Sequence, residues 1–325
     1  MPCAKPRLAL QNVRTGGQPR ILAVGSNRDY ILRHHNLSYK RIALHYGGFG
    51  FRAFDLPCKA HCLSCRIKYS YEWAIRCNHE SQFHKQNAFL TLTYREEDLP
   101  NYNHLNDDHM TSFIREYRRT LDTPIKYLKC GEYGGKNHRP HYHCLIFGHQ
   151  FDDLTHYKNN LFNSKTLSRL WPHGYAVSGS VSFESAAYCA RYATKKLSGN
   201  KNTHLKKYDI IDSYTGEVYE APPEYATMSN RGGGIGRSWI EKHADEVFTH
   251  DSVLVNSKFL IKPPRFYDDV LQQLDSDRFL NLKLRRDAER EASGRKPLLA
   301  EDLRDLTKAT QSRFNNSMRS LERDL

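Results

Sequence analysis

The chain has 325 residues, of which 39% are hydrophobic, a content that supports a packed core and excludes a disordered protein. Basic residues outnumber acidic ones and give a net charge of +13, which favours a polyanionic partner such as nucleic acid. No apolar run approaches the roughly 18 residues of a membrane span, and the first residues lack a signal-peptide core. We therefore expect a cytosolic protein with no membrane segment.

Residues 1–57 are a basic, weakly patterned lead-in, and residues 58–85 form a cysteine-rich segment followed by a helix over residues 70–85. The cysteine spacing is close to that of a structural zinc site, with candidate ligands Cys58, Cys62, Cys65 and Cys77, and His79 or His61 as alternatives. A set of small buried residues or metal-free thiols explains the spacing equally well. No site is indicated for the other cysteines, Cys3, Cys130, Cys144 and Cys189.

The next segment predicts a strand and then a helix. The sequence NAFLTLTY is rich in aromatic and β-branched residues, which are typical of a strand. Residues 107–121 place Met110, Phe113, Ile114 and Tyr117 at helical spacing, and Asp107 or Asp108 can cap that helix.

Two further strands, PIKYLKCGEY and PHYHCLIFG, are joined by a turn-rich link and predict a hairpin. If the loop is residues 134–139, Glu132 lies opposite His141, and Cys130 lies opposite His143. Glu132, His141 and His143 can then share one cation, and these ligands suit Mg²⁺, Mn²⁺ or Zn²⁺. The alternative is a pair of ordinary strand histidines, and a register slip of one residue would move Glu132 to the other face.

The sequence SVSFESAAYCARYATKKLSG predicts a helix over residues 183–197 that Ser182 caps. Helical spacing places Tyr188, Tyr192 and Lys195 on one face, so two phenols and an ammonium are presented together. The small alanines of this helix favour close packing against a sheet. A helix that packs two aromatic residues into a core is the alternative interpretation. Arg191 and Lys196 are candidate DNA contacts.

The glycine-rich sequence SNRGGGIGR lacks the Gly-Lys-Ser/Thr ending of a phosphate-binding loop and does not predict an ATPase. Its flanking Arg231 and Arg237 could contact a DNA backbone, although a surface turn is favoured slightly. Residues 241–325 form a charged, mostly helical extension. Its last 58 residues, from Asp268 on, are charge-balanced and more typical of a solvated or partner-binding helix than of a catalytic one.

Three of these segments together resemble the motifs of two-tyrosine HUH endonucleases, which initiate rolling-circle replication. They are FLTLTY, CGEYG with RPHYHCLIFG, and AAYCARYATKK. With the preceding LPCKAHCLSCRIKYSYEWAIRCNHE, the chain resembles the replication initiation proteins of gokushoviruses, single-stranded-DNA phages of the Microviridae. The resemblance covers roughly residues 57–240.

This resemblance implies an α+β fold with a ferredoxin-like HUH core over residues 86–240, in which helices flank a central antiparallel sheet. The metal ligands it implies are Glu132, His141 and His143, for Mg²⁺ or Mn²⁺. Tyr188 and Tyr192 match the paired nucleophiles, and Lys195 matches the lysine that follows them. The implied reaction is a metal-dependent transesterification that leaves a 5′-phosphotyrosine and a free 3′-hydroxyl.

The expected partners are single-stranded and origin DNA in the bacterial host cytoplasm, with a host helicase and polymerase, because no helicase domain is evident. A relaxase or transposase would use the same chemistry on another DNA. A non-catalytic, zinc-dependent DNA-binding regulator would explain the charge and the cysteines, but not the order of the glutamate, histidine and tyrosine motifs.

Overall fold

The structure of the chain, a computed structural model, describes residues 2–13, 15, 18–58, 62–134, 138–193, 210–211, 215–255, 259–294 and 296–321. The chain forms two compact units, one made of Met1–Tyr69 with Asp268–Leu325 and the other of Ser70–Tyr267. Both contain antiparallel sheets and helices, which confirms the predicted α+β class with a large antiparallel sheet. In the first unit the N-terminal residues fold with the C-terminal segment. The segment boundaries predicted at residues 57, 85 and 240 stay predictions.

The first unit contains a three-stranded antiparallel sheet in the order β2-β1-β3. Its strands and the two helices between β2 and β3 are β1 (Arg7–Asn12), β2 (Arg20–Val24), α1 (Gly25–His34), α2 (Tyr39–Tyr46) and β3 (Phe51–Leu56). Leu8, Leu10, Leu32 and Ile42 lie in its core. The predicted lead-in is therefore a folded layer, because its short apolar pieces pack on one another.

Helix α3 (Leu63–Ser81) begins before the predicted start at residue 70. The second unit then builds a seven-stranded sheet in the order β12-β5-β6-β4-β9-β8-β7, in which all neighbours are antiparallel. Its strands are β4 (Asn87–Tyr94), β5 (Lys126–Tyr133), β6 (Pro140–Phe147), β7 (Thr155–Lys158), β8 (Leu161–Asn163), β9 (Gly174–Gly179) and β12 (Tyr225–Met228).

Within its described residues this unit also contains the helices α4 (Asp107–Arg119), α5 (Lys165–Leu170), α6 (Phe183–Ala193) and α7 (Arg237–His250). Two short hairpins complete it, β10 (Ile210–Ile211) with β11 (Val218–Tyr219) and β13 (Val253–Val255) with β14 (Phe259–Ile261). The strand predicted at NAFLTLTY is confirmed as β4. The helix predicted from residue 107 is confirmed as α4, but its cap is Asn106, whose side chain accepts from the backbone N–H groups of Asp108 and His109.

The seven-stranded sheet has two different faces. Along β4 every second residue is buried, and these residues pack with Phe113, Ile114 and Tyr117 of α4 in one apolar core. Tyr142 of β6 points into this core and is fully buried, and its hydroxyl donates to the carbonyl of Asn106 at 2.8 Å. The positions between the buried ones face the other way, so the two histidines of β6 lie on the face opposite this core.

The C-terminal segment is helical, as its sequence predicts, and consists of α8 (Arg265–Leu274), α9 (Ser276–Ala292) and α10 (Ala300–Leu321). Within the first unit, Asp29 accepts a hydrogen bond from the N–H of Ala300 at the start of α10, and Arg52 pairs with Asp287 of α9 at 3.0 Å. None of the helices in the described ranges is long and apolar enough to cross a membrane.

Candidate functional site

The hairpin of β5 and β6 sets the geometry of the candidate site. Its register pairs Glu132 with His141, and Cys130 with His143, which confirms the register predicted from the loop length. Strand β6 lies between β5 and β4, so both histidines stand on an interior strand. Because strand side chains alternate, the two imidazoles project from one face, beside Glu132.

Three polar groups converge on one oxygen of Glu132. Nε2 of His141 lies 2.5 Å from Oε1 of Glu132, and Nε2 of His143 lies 3.0 Å from the same atom. The hydroxyl of Tyr188 also donates a hydrogen bond to this oxygen. The predicted ligands and one predicted nucleophile therefore meet at a single point.

The Nδ1 atom of each imidazole, on the side away from Glu132, makes a hydrogen bond that fixes the ring. Nδ1 of His141 donates to the carbonyl of Arg139 at 3.1 Å. Nδ1 of His143 shares a hydrogen bond of 3.0 Å with the hydroxyl of Thr91, and its ring stacks on Phe89 at 5.5 Å between centroids. Sequence reasoning missed Thr91 and Phe89. The sequence places both at alternate positions of the predicted strand, but their role requires that β4 pair with β6, which sets Thr91 directly opposite His143.

Charges in the site are set by burial and by these hydrogen bonds. Glu132 is 3% exposed, and although burial acts to raise the pKa of its carboxyl, hydrogen bonds from both histidines outweigh burial and lower it. Burial acts to lower the pKa of His141, but the hydrogen bond to Glu132 prevails and raises it. Burial prevails at His143 and lowers its pKa. The carboxylate thus favours the protonated form of His141, whereas burial favours the neutral form of His143.

These residues fit a divalent cation. The ligand atoms of Glu132, His141 and His143 lie within 4.8 Å of one another. Adjacent ligands of an octahedral cation at about 2.1 Å are about 3.0 Å apart, which is close to the spacing of His143 and Glu132. The bonds made by both Nδ1 atoms leave each Nε2 directed at the carboxylate, so a cation can take the place of the protons there.

Helix α6 brings Tyr188 to this point. The hydroxyl of Ser182 accepts from the N–H of Ser185 at 3.1 Å, which confirms the predicted cap. Ala186 and Ala190 are fully buried, and the helix packs against β5, β6 and β12. The ring of Tyr188 meets the edge of His143 at 5.0 Å. Burial, followed by the charge of Glu132, raises the pKa of Tyr188, so its phenol is protonated here.

Several predicted residues fall beyond the described part of the molecule. Helix α6 includes position 192, four residues after Tyr188, but the side chains of Arg191 and Tyr192 are outside the description. Lys195 and Lys196 lie outside the described residues. Their predicted roles stay predictions.

The backbone of the glycine-rich segment is held by two charged residues of the protein itself, Glu80 and Lys126. The N–H of Gly236, just before α7, donates to Oε2 of buried Glu80 at 2.6 Å. Lys126 pairs with Glu80 at 2.9 Å and donates to the carbonyl of Gly234 at 3.2 Å. The carboxylate of Glu80 therefore occupies the helix N-terminus, where a phosphate-binding loop would hold its ligand. This contact accounts for part of the glycine pattern without a nucleotide.

The two arginines of that segment occupy different positions. Arg231 is exposed in a single helical turn, Arg231–Gly233. Arg237 begins α7 and pairs with Glu241 at 2.7 Å. Their predicted DNA contacts stay predictions.

The cysteine cluster differs from the prediction in its fourth member. The structure places together the Sγ atoms of Cys3, Cys58, Cys62 and Cys65, all within 4.8 Å of one another. Cys77 was the predicted fourth ligand, but it lies twelve positions after Cys65 in the same helix, about 18 Å along α3. His79 is no substitute, because its Nδ1 lies 2.8 Å from the hydroxyl of Tyr267 and its ring stacks on Trp239. His61 lies outside the described residues.

The family of the replication-associated protein ORF2/G2P matches residues 87–197, a range that includes the hairpin and helix α6. Replication-associated protein VP4 of Bdellovibrio phage phiMH2K is 34% identical over 71% of this chain and 70% of its own length. Replication-associated protein ORF2 of Spiroplasma virus 4 is 32% identical over 83% of this chain and 86% of its own length. Replication-associated protein ORF4 of Chlamydia phage 1 is 33% identical over 69% of this chain and 55% of its own length. No solved structure matches the chain.

Proposed function

Because the chain belongs to the replication-associated proteins of the gokushoviruses within the Microviridae, we propose that it initiates phage replication by cutting origin DNA with a tyrosine. The observation that supports this chemistry is the meeting of Tyr188 with Glu132, His141 and His143. A regulator that only binds DNA has no need of a phenol at a cation-binding group.

The proposed nuclease core is a ferredoxin-like HUH fold. It is supported by the antiparallel sheet, by the two histidines on the interior strand β6 and by helix α6 packed beside them. The opposite face of β6 carries Tyr142, whose hydroxyl donates to the carbonyl of Asn106, the residue that precedes α4. The strand that presents the histidines is thus held from both faces.

Glu132, His141 and His143 are the proposed ligands of a divalent cation, Mg²⁺ or Mn²⁺. When bound there, such an ion supplies Lewis acidity that draws electron density from a phosphate oxygen. The nitrogens on the far side of the rings, bonded to Thr91 and to the carbonyl of Arg139, hold both imidazoles in the orientation that this binding needs.

Tyr188 is the proposed nucleophile of the described site. Its phenolic oxygen attacks the scissile phosphorus, the bond from phosphorus to the 3′ oxygen breaks, and a 5′-phosphotyrosine forms. The proton that the phenol loses is balanced by the proton that the leaving 3′ oxygen gains. The resulting 3′-hydroxyl can prime synthesis, and the reverse attack by a 3′-hydroxyl reseals the strand.

Tyr192 is proposed as the second nucleophile. After one round of synthesis the displaced strand must be cut while the first 5′ end is still bound to the protein, and a second phenol can perform that cut. Position 192 follows Tyr188 by four residues in helix α6. Lys195, beyond the described part, is proposed to stabilise charge on the reacting phosphate.

The net charge of +13 supports single-stranded and origin DNA as the partner. Arg191, Lys196, Arg231 and Arg237 are proposed backbone contacts. Unwinding and synthesis would be carried out by a host helicase and polymerase in the bacterial cytoplasm. A relaxase or transposase would share the chemistry, but the names of the three similar phage proteins favour replication.

The test is a denaturing gel of the purified protein incubated with single-stranded circular DNA of its phage and Mn²⁺ or Mg²⁺. We expect a covalent protein–DNA band that requires the cation. Tyr188→Phe and Tyr192→Phe should each be partly active and their combination inactive, because either phenol can start. Tyr157→Phe, at a tyrosine that is 59% exposed on β7, is the matched control and should behave as the unaltered protein.

Two results would contradict the proposal in different ways. If no adduct forms with either cation while DNA binding remains tight and salt-dependent, the protein is a DNA-binding protein without this chemistry. If one single variant abolishes cleavage and the other changes nothing, the endonuclease stands but the alternation of the two tyrosines does not.

A further inference from the structure

Four cysteines of the first unit form a compact sulphur cluster. Cys3 precedes β1, Cys58 follows β3, and Cys62 and Cys65 lie at the start of α3. All four are free thiols, and their Sγ atoms lie within 4.8 Å of one another. The antiparallel pairing of β1 with β3 places Arg7 opposite Leu56, so the chain before β1 and the chain after β3 leave the sheet at the same end.

The spacing of the Cys3 and Cys62 sulphur atoms is that of a tetrahedral metal site. A zinc ion bound to four thiolates at about 2.3 Å in a tetrahedron places neighbouring sulphur atoms about 3.8 Å apart. The Sγ atoms of Cys3 and Cys62 are 3.8 Å apart. No movement of these two residues is needed to accommodate the ion.

Backbone N–H groups are directed at the sulphur atoms. Sγ of Cys3 accepts from the N–H of Cys58 at 3.3 Å and from that of Lys5 at 3.4 Å. Sγ of Cys58 accepts from the N–H of Cys62 at 3.3 Å, and Sγ of Cys62 accepts from the N–H of Ala4 at 3.3 Å. Thiols are weak acceptors, whereas thiolates form charge-assisted hydrogen bonds, so this set of donors suits ionised sulphur.

The location also favours negative sulphur. Cys62 immediately precedes helix α3 and Cys65 lies in its first turn, where the positive end of the helix dipole stabilises a thiolate. Four thiolates at this spacing repel one another strongly, and a bound divalent cation removes most of that repulsion. A tetrahedral set of four sulphur ligands selects zinc or iron rather than Mg²⁺.

We propose that Cys3, Cys58, Cys62 and Cys65 bind a structural zinc ion that fixes the N-terminal residues to the end of β3 and the start of α3. All four coordination positions are filled by the chain, so the ion takes no part in chemistry. This inference is independent of the proposed nicking reaction, which uses other residues in the other unit.

The test measures bound metal on the full-length protein. Since zinc can also occupy the Glu132 group, every protein carries His143→Gln. By plasma mass spectrometry we expect about one zinc per chain in the His143→Gln protein, and the same amount in the protein that also carries Cys77→Ala. With Cys3→Ala, a chromogenic chelator should remove the zinc at a concentration at least about 100-fold lower, because one of the four ligands is missing.

A second variant keeps the test decisive if Cys3→Ala does not fold. Cys3→His replaces one sulphur ligand by nitrogen, and zinc sites of three cysteines and one histidine are common, so this protein should still bind one metal ion. Loaded with Co²⁺, it should shift the absorption bands of tetrahedral thiolate-bound cobalt relative to the protein with Cys3. Cys77→Ala should leave those bands unchanged.

Three results would overturn the proposal. The first is that Cys3→Ala binds zinc as tightly as Cys77→Ala does. The second is that the cobalt absorption bands of Cys3→His equal those of the protein with Cys3. The third is that all of the proteins contain iron or no metal. The DNA-cleavage gel can succeed or fail independently, because it reports on Tyr188 and not on these cysteines.

Discussion

Replacement of Thr91 by valine tests whether the imidazole of His143 is held for cation binding. Valine keeps the shape and β-branching of threonine, so strand β4 should be unaffected. The change removes the hydrogen bond of 3.0 Å at Nδ1 of His143, a ring that is 5% exposed and cannot turn to water for a replacement. Loss of such a bond on a metal-binding histidine typically weakens metal affinity by about 10–100-fold, or about 1.4–2.8 kcal/mol.

The assay is calorimetric titration of Mn²⁺ into the purified protein without DNA. Thr93→Val is the matched control, because Thr93 lies on the same strand and face, and its hydroxyl donates to the carbonyl of Tyr175 at 3.3 Å. We expect the dissociation constant for Mn²⁺ to rise by about 10–100-fold in Thr91→Val and by less than about 3-fold in Thr93→Val. Equal changes in both variants, or none in Thr91→Val with unfolding unchanged, would refute the role of this hydrogen bond.

Three further predictions concern stability. Burial lowers the pKa of His79 to about 4, so the free energy of unfolding should fall as the pH drops below about 6.5. The expected fall between pH 7 and pH 5 is about 2 kcal/mol. Urea titrations of His79→Gln at both pH values should show a pH dependence smaller by this amount. Glu80→Gln should lower the free energy of unfolding by about 3 kcal/mol in urea, because it leaves the ammonium of Lys126 without its buried partner; an unchanged midpoint would argue against that pair. Tyr142→Phe should lower it by about 1–3 kcal/mol through lost hydrogen bonds before α4, whereas Tyr157→Phe should have little effect.

The central hairpin was predictable because its determinants are local. Six loop residues between two alternating strands leave one register that places Glu132 opposite His141, and the structure has that register. Helix α6 was predictable for the same reason, since Ser182 and the alanine spacing mark its start and its packed face. Such features need only the pattern of one short segment.

Other features depend on contacts between distant parts of the chain and could not be read from spacing. Cys3 and Cys58 are 55 residues apart and meet only because β1 pairs with β3. Spacing alone therefore favoured Cys77, which is nearer in sequence but lies far along a rigid helix. The role of Thr91 was hidden likewise, because it requires that β4 be the neighbour of β6.

Glu132 links the two halves of the proposed site. Its Oε1 accepts hydrogen bonds from His141, His143 and Tyr188, although a carboxylate oxygen has only about two lone-pair sites. The histidines must give up these bonds to act as cation ligands, and Tyr188 must give up its bond to reach a phosphate. Because one oxygen holds all three groups, the register of β5 and β6 determines both where a cation can bind and where Tyr188, the proposed nucleophile, lies. A slip of one residue would turn Glu132 away from both.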